Sequence, residues 1–337
     1  MITIYDIAKE CGVTAATVSK ALNDNSGVSE KRRMQIKKIA KEMGYLPNAQ
    51  ARSLSTKKSK DIGVLFYEDT NYGLAHQFFS KMLESLRHEI ESRGYDLSFI
   101  ATNSTQFKGA YYEHCKYKGI DGAVIASVDF DEEEVVKLVN SEIPVVLIDK
   151  IIENKTSIVS KNYEGTKEAI HYLHQCGHEK IGFIRGQSVS NDVTESRMDG
   201  FKQGMAECGL AINSAWVKCG RYYKQEATQQ LVREILTKKE KPTALLLSDD
   251  YAALGAYKAI AELNLKIPED ISIIGNDGLE LTEIVTPSLT TIAQDPMEMG
   301  RLAGEHIVRL AESNQPKQRV VEVGTKLKIG NSVKIMR

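Results

Sequence analysis

The sequence predicts a small all-α head followed by an α/β body of two Rossmann-like lobes. Three observations carry this prediction. Residues 3–23, TIYDIAKECGVTAATVSKALN, have the spacing of two short helices folded around a glycine. Residues 1–60 hold 12 Lys or Arg against 5 Asp or Glu, a net +7; the whole chain is −1, so residues 61–337 carry −8. From residue 61 onward, apolar strand-like runs alternate with helical stretches.

In the head, the first helix is predicted from about Ile4 to Cys11 and the second from Ala15 to Leu22. Gly12 supplies the turn, Val13 points inward and the Thr14 hydroxyl caps the second helix. Ile7, Ala8, Val13, Val18 and Leu22 recur at helical spacing and can bury against one another. Such a two-helix corner is common in itself. A third helix makes it a self-contained domain: Ser29 is placed as a cap, EKRRMQIKKIAKEMG repeats Met34, Ile36, Ile39, Ala40 and Met43, and Gly44 ends it. The outward face of the second helix carries Ala15, Ala16, Ser19, Lys20 and Asn23, side chains small or hydrogen-bonding enough for a major groove. A basic head on an acidic body is the footprint of a phosphate-binding module. A solvated face explains Lys37, Lys38 and Lys41 but not the asymmetry between the two parts. In YLPNAQARSLSTKKSK, residues 45–60, Pro47 stops a helix, Asn48 can cap a new one, and AQARSLS would be marginal alone in water. Leu54 lies on it without a core to join, and Lys57, Lys58 and Lys60 follow.

These 60 residues resemble the headpiece and hinge of the LacI/GalR family of bacterial transcription regulators, and the resemblance extends over the whole chain. It implies a helix-turn-helix DNA-binding headpiece over 1–46 and a hinge helix and linker over 47–60. Carried over by position, Thr14, Ala15, Ala16, Ser19, Lys20 and Asn23 face the bases, and Tyr5, Ser29, Tyr45 and Asn48 contact the backbone. Ala51 and Leu54 form a minor-groove pair on a hinge that becomes helical on operator DNA. Lys20 stands where an arginine is common; lysine still reaches guanine O6 or N7, with a less rigid fork. Ala15 and Ala16 offer methyl contacts alone, so specificity falls to Lys20, the hinge and DNA shape.

The body's strand-like runs are 62–67, 95–101, 122–128, 144–149, 180–186, 243–249, 271–277 and 289–294, with helical stretches such as QFFSKMLESLRHEIESRG and GTKEAIHYLHQCG between them. Strands this apolar indicate parallel sheets covered on both faces. Their number suits two sheets better than one, and such sheets bind ligands beyond the carboxyl ends of their strands. The resemblance implies the periplasmic-binding-protein type I fold, with a first lobe of 61–160 and 292–320 and a second of 161–291 and 321–337.

Strand ends supply the cleft candidates. Asp149 follows PVVLI, Asp249 and Asp250 follow TALLLS, Asp277 follows SIIGN and Gln294 ends LTTIAQ. Carboxylates and a guanidinium bind paired sugar hydroxyls, and an aromatic face covers the ring. Arg197, Asp249, Asp277 and Tyr222 supply that set, and the resemblance puts all four at effector positions. In the first lobe, Tyr72 and His76 are candidates, whereas Phe78 and Phe79 read as the buried start of a helix. Trp216 reads as packing.

Other readings stay open. Asp249, Asp250 and Asp277 invite a glycosidase, but neither a P-loop nor a GxSxG motif appears. His171, His174 and His178 have helical spacing, but no carboxylate or cysteine completes a metal set on that face. No metal or cofactor is expected. The five cysteines lack CxxC spacing and suit free thiols in a reducing cytoplasm. No apolar run approaches the roughly 20 residues of a membrane span, and the N-terminus does not read as a signal peptide. The expectation is a cytoplasmic repressor of carbohydrate-utilisation genes, a homodimer on a palindromic operator, whose DNA affinity is changed by a small sugar. No leucine heptads close the sequence, which favours a dimer over a tail-assembled tetramer. A non-sugar or protein corepressor is the alternative.

Overall fold

The computed structural model describes residues 2–24, 26–45, 58–67, 73–101, 109–187, 192–313 and 319–336. The chain forms two compact units, Met1–Ser59 and Lys60–Arg337.

In the first unit α1 (Ile4–Cys11), α2 (Ala15–Leu22) and α3 (Glu30–Glu42) enclose a core of Ile7, Ala8, Cys11, Val18, Ala21, Ile36 and Ala40. The termini are fixed locally. Thr3 and Asp6 form a reciprocal capping box at α1. Gly12 takes the left-handed conformation, φ 62°, that ends α1 and would strain any other residue. Thr14 Oγ1 accepts from Thr17 N at 3.2 Å and starts α2. Ser29 occupies the cap position of α3 without a side-chain cap bond. Two details depart from the periodicity. Ala21 is fully buried while Leu22 is partly so, and Met34 is 61% exposed, because α3 faces its neighbours through Ile36 and Ala40.

The second unit contains two sheets. The first is ordered β11-β5-β4-β3-β1-β2, comprising β1 (Asp61–Phe66), β2 (Asp96–Phe99), β3 (Gly122–Ala126), β4 (Val145–Ile148), β5 (Thr156–Ser160) and β11 (Val320–Val323), all parallel. The second is ordered β12-β10-β9-β8-β6-β7, comprising β6 (Ile181–Arg185), β7 (Val217–Cys219), β8 (Ala244–Leu247), β9 (Ser272–Asp277), β10 (Thr290–Ala293) and β12 (Lys326–Lys328). Here only the β10–β12 pairing is antiparallel. The eight runs predicted from apolarity correspond to β1–β4, β6 and β8–β10. Of the four others, β7 and β12 are three residues long, and β5, TSIVS, buries Thr156 and Ser157 completely despite their hydroxyls.

Helices cover both faces of each sheet, as buried parallel strands require. In the first lobe α4 (Gln77–Ser92) and α12 (Pro296–Glu312) pack on the Val124 and Ala126 face of β3. The opposite face, with Ala123 and Ile125, receives α5 (Tyr111–Lys118) and α6 (Glu133–Val139). Gly300 lets α12 approach α4 closely: a Cβ there would collide with the Met82 carbonyl oxygen. Phe78 and Phe79 are buried at the start of α4, as expected. In the second lobe α7 (Asn162–Gln175) and α8 (Asp192–Glu207) cover one face, and α9 (Gln225–Leu236) and α10 (Asp250–Glu262) the other, where Trp216 packs. A short helix, α11 (Leu281–Ile284), follows β9.

The chain passes between sheets after β5, after β10 and between β11 and β12. The expected lobe boundaries at 291/292 and 320/321 therefore need correction, since they cut β10 and β11. β10 pairs with β9 through Ala293, and β11 pairs with β5 through Val323. The sequence marks neither passage, because the strands run directly into their connections. Among the described residues no helix is long and apolar enough to cross a membrane.

Candidate DNA interface and effector cleft

On the head, the outward side of α2 presents Ala16, Lys20 and Asn23 to solvent, with Ser19 half-buried beside them. Asn23 Nδ2 donates to the Ser19 carbonyl at 3.0 Å, which fixes the end of the helix. Thr14 is exposed, its hydroxyl 2.9 Å from Thr17 Oγ1. Ala15, expected among the base-facing residues, leans partly into the core because it follows the cap directly. Tyr5 is 72% exposed and Ser29 is exposed, whereas Tyr45 is half-buried against the core. Cationic side chains behind this face are held in place: Arg33 and Lys37 pair with Asp24 at 3.0 and 2.6 Å, and Arg32 donates to the Cys11 carbonyl. Asn48, Ala51 and Leu54, and with them most of the hinge, lie outside the described residues.

In the body, the ends of β4, β8, β9 and β10 bring the predicted carboxylates around one buried guanidinium. Arg197, on α8, is 4% exposed. Its Nε donates to Asn162 Oδ1 at 2.8 Å and its Nη1 to the Ser248 carbonyl at 2.7 Å; Nη2 stands 3.8 Å from Asp277 Oδ1. Asp277 is also 4% exposed and has φ 112° at the end of β9. Its Oδ1 accepts from Gln294 Nε2 at 2.7 Å. Asp277 Oδ2 and Gln294 Oε1 are buried without a partner among the described residues. Burial holds the Asp277 carboxyl well above its ordinary pKa, against the opposing pull of Arg197. Asp149 has a left-handed backbone, φ 56°, and its Oδ1 accepts from Ser160 N at 3.3 Å. Desolvation pushes its pKa up to about 6.

Asp249 belongs to the wall of the cleft and not to its open surface. It caps α10, and its oxygens accept from Ala252 N at 2.7 Å, Tyr223 N at 3.0 Å and Ser248 Oγ at 2.7 Å. Three protein donors thus already engage the carboxylate expected to meet the effector, which leaves it about one further acceptor site. Asp250 is likewise internal, accepting from Thr291 Oγ1 and Leu279 N at 2.7 and 2.8 Å, and its pKa is raised by burial to about 7. Tyr222 is buried with its hydroxyl 3.0 Å from Thr194 Oγ1, and the Arg197 guanidinium carbon lies 5.8 Å from its ring centre. Gly186 seats that ring: a Cβ there would come within 2.5 Å of it.

His76 is fully buried, with its ring 4.2 Å from Tyr223, 5.1 Å from Phe79 and 5.2 Å from Tyr251. Burial lowers its pKa to about 4, so it is neutral at pH 7. His76 thus joins the first lobe to two second-lobe tyrosines. Polar contacts across the cleft mouth run beside it: Glu280 N donates to Gln77 Oε1 at 2.8 Å, Lys81 pairs with Glu280 at 2.9 Å, and Lys150 pairs with Asp192 at 2.9 Å. Tyr72 lies outside the described residues.

Sequence reasoning missed Asn162, Asn276, Tyr223 and Tyr251. Asn162 follows the unforeseen strand β5. Tyr223 differs from its neighbour Tyr222 by a left-handed backbone, φ 60°, which turns its ring toward His76. Of the three spaced histidines, His171 meets Glu207 at 2.9 Å, His178 bridges Thr243 and the Lys334 carbonyl, and His174 is exposed; among the described residues no group of side chains could hold a metal.

A head with an exposed reading helix and a two-lobed body with a polar cleft define a ligand-sensing DNA-binding regulator. The sequence matches two family models: residues 3–48 the model for bacterial regulatory proteins of the lacI family, and residues 170–333 the periplasmic binding protein-like domain. It is 31% identical over 338 residues to the HTH-type transcriptional repressor PurR of Vibrio vulnificus, covering 99% of each chain, and 32% identical over 339 residues to that of Vibrio campbellii, again with 99% of each. A lac repressor dimer solved with operator and the anti-inducer ONPF superposes with a TM-score of 0.81 at 25% identity, covering 99% of both chains. The regulator CelR in complex with cellobiose shares the fold, with a TM-score of 0.74 at 20% identity over 98% of this chain and 100% of that one. The chain belongs to the lacI family of bacterial regulatory proteins. It is a DNA-binding transcriptional repressor and not an enzyme.

Proposed function

We propose that this repressor binds a palindromic operator as a cytoplasmic homodimer, through α2 in the major groove, and that a small hydroxylated effector in the body's cleft changes its operator affinity. The single observation that supports the effector reading is the pair of buried oxygens without a partner among the described residues, Asp277 Oδ2 and Gln294 Oε1, on side chains joined by a 2.7 Å hydrogen bond from Gln294 Nε2 to Asp277 Oδ1 beside Arg197. A buried acceptor without a donor costs about 1–3 kcal/mol, which a ligand would relieve. Asp149, Arg197, Asp277 and Gln294 are the contact set, Tyr222, Tyr223 and His76 the aromatic wall. A solved protein of the same fold, CelR, is in complex with cellobiose, a saccharide, and that is the precedent for a sugar here.

Closing the lobes on a ligand would couple to DNA through the segment 47–60, at about 1–3 kcal/mol per coupled site. The effector acts as an inducer in this reading, and the regulated genes serve carbohydrate use. The engagement of Asp249 by three protein donors favours a second reading, a non-sugar effector such as a purine-like base, because it removes one of the carboxylates available to chelate paired hydroxyls.

The test is a thermal-shift panel on the full chain with mono- and disaccharides, their phosphates and purine bases. A ligand that binds the folded state alone raises the melting temperature. A saccharide shift abolished by Asp277→Ala, with operator binding kept, is the expected result. A shift with bases alone would replace the sugar reading by the second one.

A further inference from the structure

Around the ends of β9 and β10, three buried side-chain atoms find no partner among the described residues, and all three are oxygens: Asp277 Oδ2, Gln294 Oε1 and Asn276 Oδ1. The Gln294 amide cannot turn to offer a donor at no cost, because its Nε2 already donates to Asp277 Oδ1 at 2.7 Å. Asn276 and Asp277 are each 4% exposed, so water does not serve them freely. The open side-chain positions here are therefore all acceptors.

Its charge leans the same way. Asp277 Oδ1 lies 3.8 Å from Arg197 Nη2, and the neighbouring Asp249 and Asp250 favour positive charge beside Asp277. Arg197 has two of its nitrogens committed to Asn162 and the Ser248 carbonyl. Lys150, near the mouth, is paired with Asp192. With Asp249 and Asp250 occupied by protein donors, Asp277 is the carboxylate on β9 with an oxygen to give. A hydroxyl brings a single donor to these three open acceptors. An ammonium brings three donors, no lone pair and a compensating charge, which matters in a desolvated cleft.

Building on the effector reading above, we infer that the ligand carries a protonated amine seated on Asp277 and Gln294, and that the cleft rejects anionic ligands such as sugar phosphates. The amine is the specificity element, and the hydroxylated or aromatic remainder lies toward Tyr222 and Tyr223. Charge-assisted hydrogen bonds to Asp277 are stronger than neutral ones, so the aminated member of a matched pair binds about tenfold tighter or more.

The experiment is calorimetric titration of the full-length repressor with matched sets: glucose, glucosamine and glucose 6-phosphate; galactose, galactosamine and galactose 6-phosphate; and agmatine as an amine without hydroxyls. The expected result is that an amino sugar binds, its neutral parent binds at least about tenfold more weakly and its phosphate not at all. Asp277→Asn should erase the difference between amine and parent; a retained cooperative unfolding transition at Trp216, buried in the body, is the check that it folds. A parent or phosphate that binds as well as the amine overturns the inference and leaves the sugar reading standing. Binding of agmatine with no response to any sugar overturns the sugar reading and leaves the inference standing. Silence across all the sets overturns the inference.

Discussion

On the head, Ala16, Lys20 and Asn23 stand in water on a helix anchored by Val18 and Ala21 in the core. In the body, Arg197, Asp277 and Asn276 are almost wholly buried before any ligand arrives. The two surfaces thus meet the cost of desolvation at different times. The head keeps its reading groups hydrated and loses that hydration on DNA, where phosphate attraction supplies most of the affinity. The body desolvates its groups on folding, and its buried charges must balance one another in the meantime. Side chains on the head should therefore be replaceable without harm to the fold, whereas those of the cleft should carry stability and recognition together.

Arg197 gives the largest separation between the two regions. Arg197→Ala leaves Asp277 and Asp149 without their guanidinium and strips the partners from Asn162 Oδ1 and the Ser248 carbonyl. Breaking a buried pair on one side costs about 3–5 kcal/mol. Trp216, the sole tryptophan, is buried in the second lobe, so its fluorescence reports the body's unfolding. The unfolding free energy read at Trp216 should fall by that amount and carry the urea midpoint down with it, while amide exchange protection in α1–α3 stays unchanged. A midpoint that does not move would mean that the buried charges are not mutually compensated.

Lys20→Ala probes the other side. Lys20 is exposed and appears in no ion pair with Asp24, which Arg33 and Lys37 occupy. Its removal should weaken operator binding by about 1–3 kcal/mol and relax preference at one base pair. The Trp216 midpoint should stay put. Equal affinity for operator and for a mismatched site in both proteins would remove Lys20 from the base-reading set.

How far each region was readable beforehand follows from how its parts are encoded. The head's caps, turn and reading face are local: Thr3, Gly12, Thr14 and Lys20 lie within 18 residues, so periodicity and capping chemistry sufficed for α1 and α2. The cleft is assembled from strand ends some 150 residues apart. Polar residues at the ends of apolar runs pointed to Asp149, Asp277 and Gln294, and the family resemblance pointed to Arg197. Residue type did not reveal that Asp249 caps α10 and already accepts from two backbone N–H groups and the Ser248 hydroxyl. Nor did it find Asn162, which lies past a strand of polar residues, or Tyr223, whose orientation depends on one positive φ. Those properties arise from tertiary approach and leave no periodic trace.

Acidity should draw the two regions apart most subtly. On the head, the Asp6 pKa is lowered by hydrogen bonds from the Thr3 side chain and backbone, and that of Asp24 by Lys37 and Arg33. Their folded values lie below the unfolded value of 3.8, so their stabilisation is present above it and is lost as pH falls through the folded pKa. In the body the sign reverses. Asp149, raised from 3.8 to about 6, binds its proton more tightly when folded, so its contribution declines as pH rises from 3.8 to about 6 and is flat beyond. His76 opposes it: lowered from 6.5 to about 4, it costs stability as pH falls through that interval, because the unfolded chain takes the proton first. Removing the charge at each position separates the two. Relative to the parent, Asp149→Asn should raise the Trp216 midpoint more at pH 7 than at pH 4, since only the ionised carboxylate is penalised. His76→Phe should improve relative to the parent as pH falls from 7 to 4. Neither change should touch α1–α3 exchange, whose acid loss sets in only below about 4. Parallel pH profiles for the parent and both variants would show that these buried groups do not titrate apart from their unfolded values, and the contrast between a hydrated head and a desolvated cleft would lose its electrostatic basis.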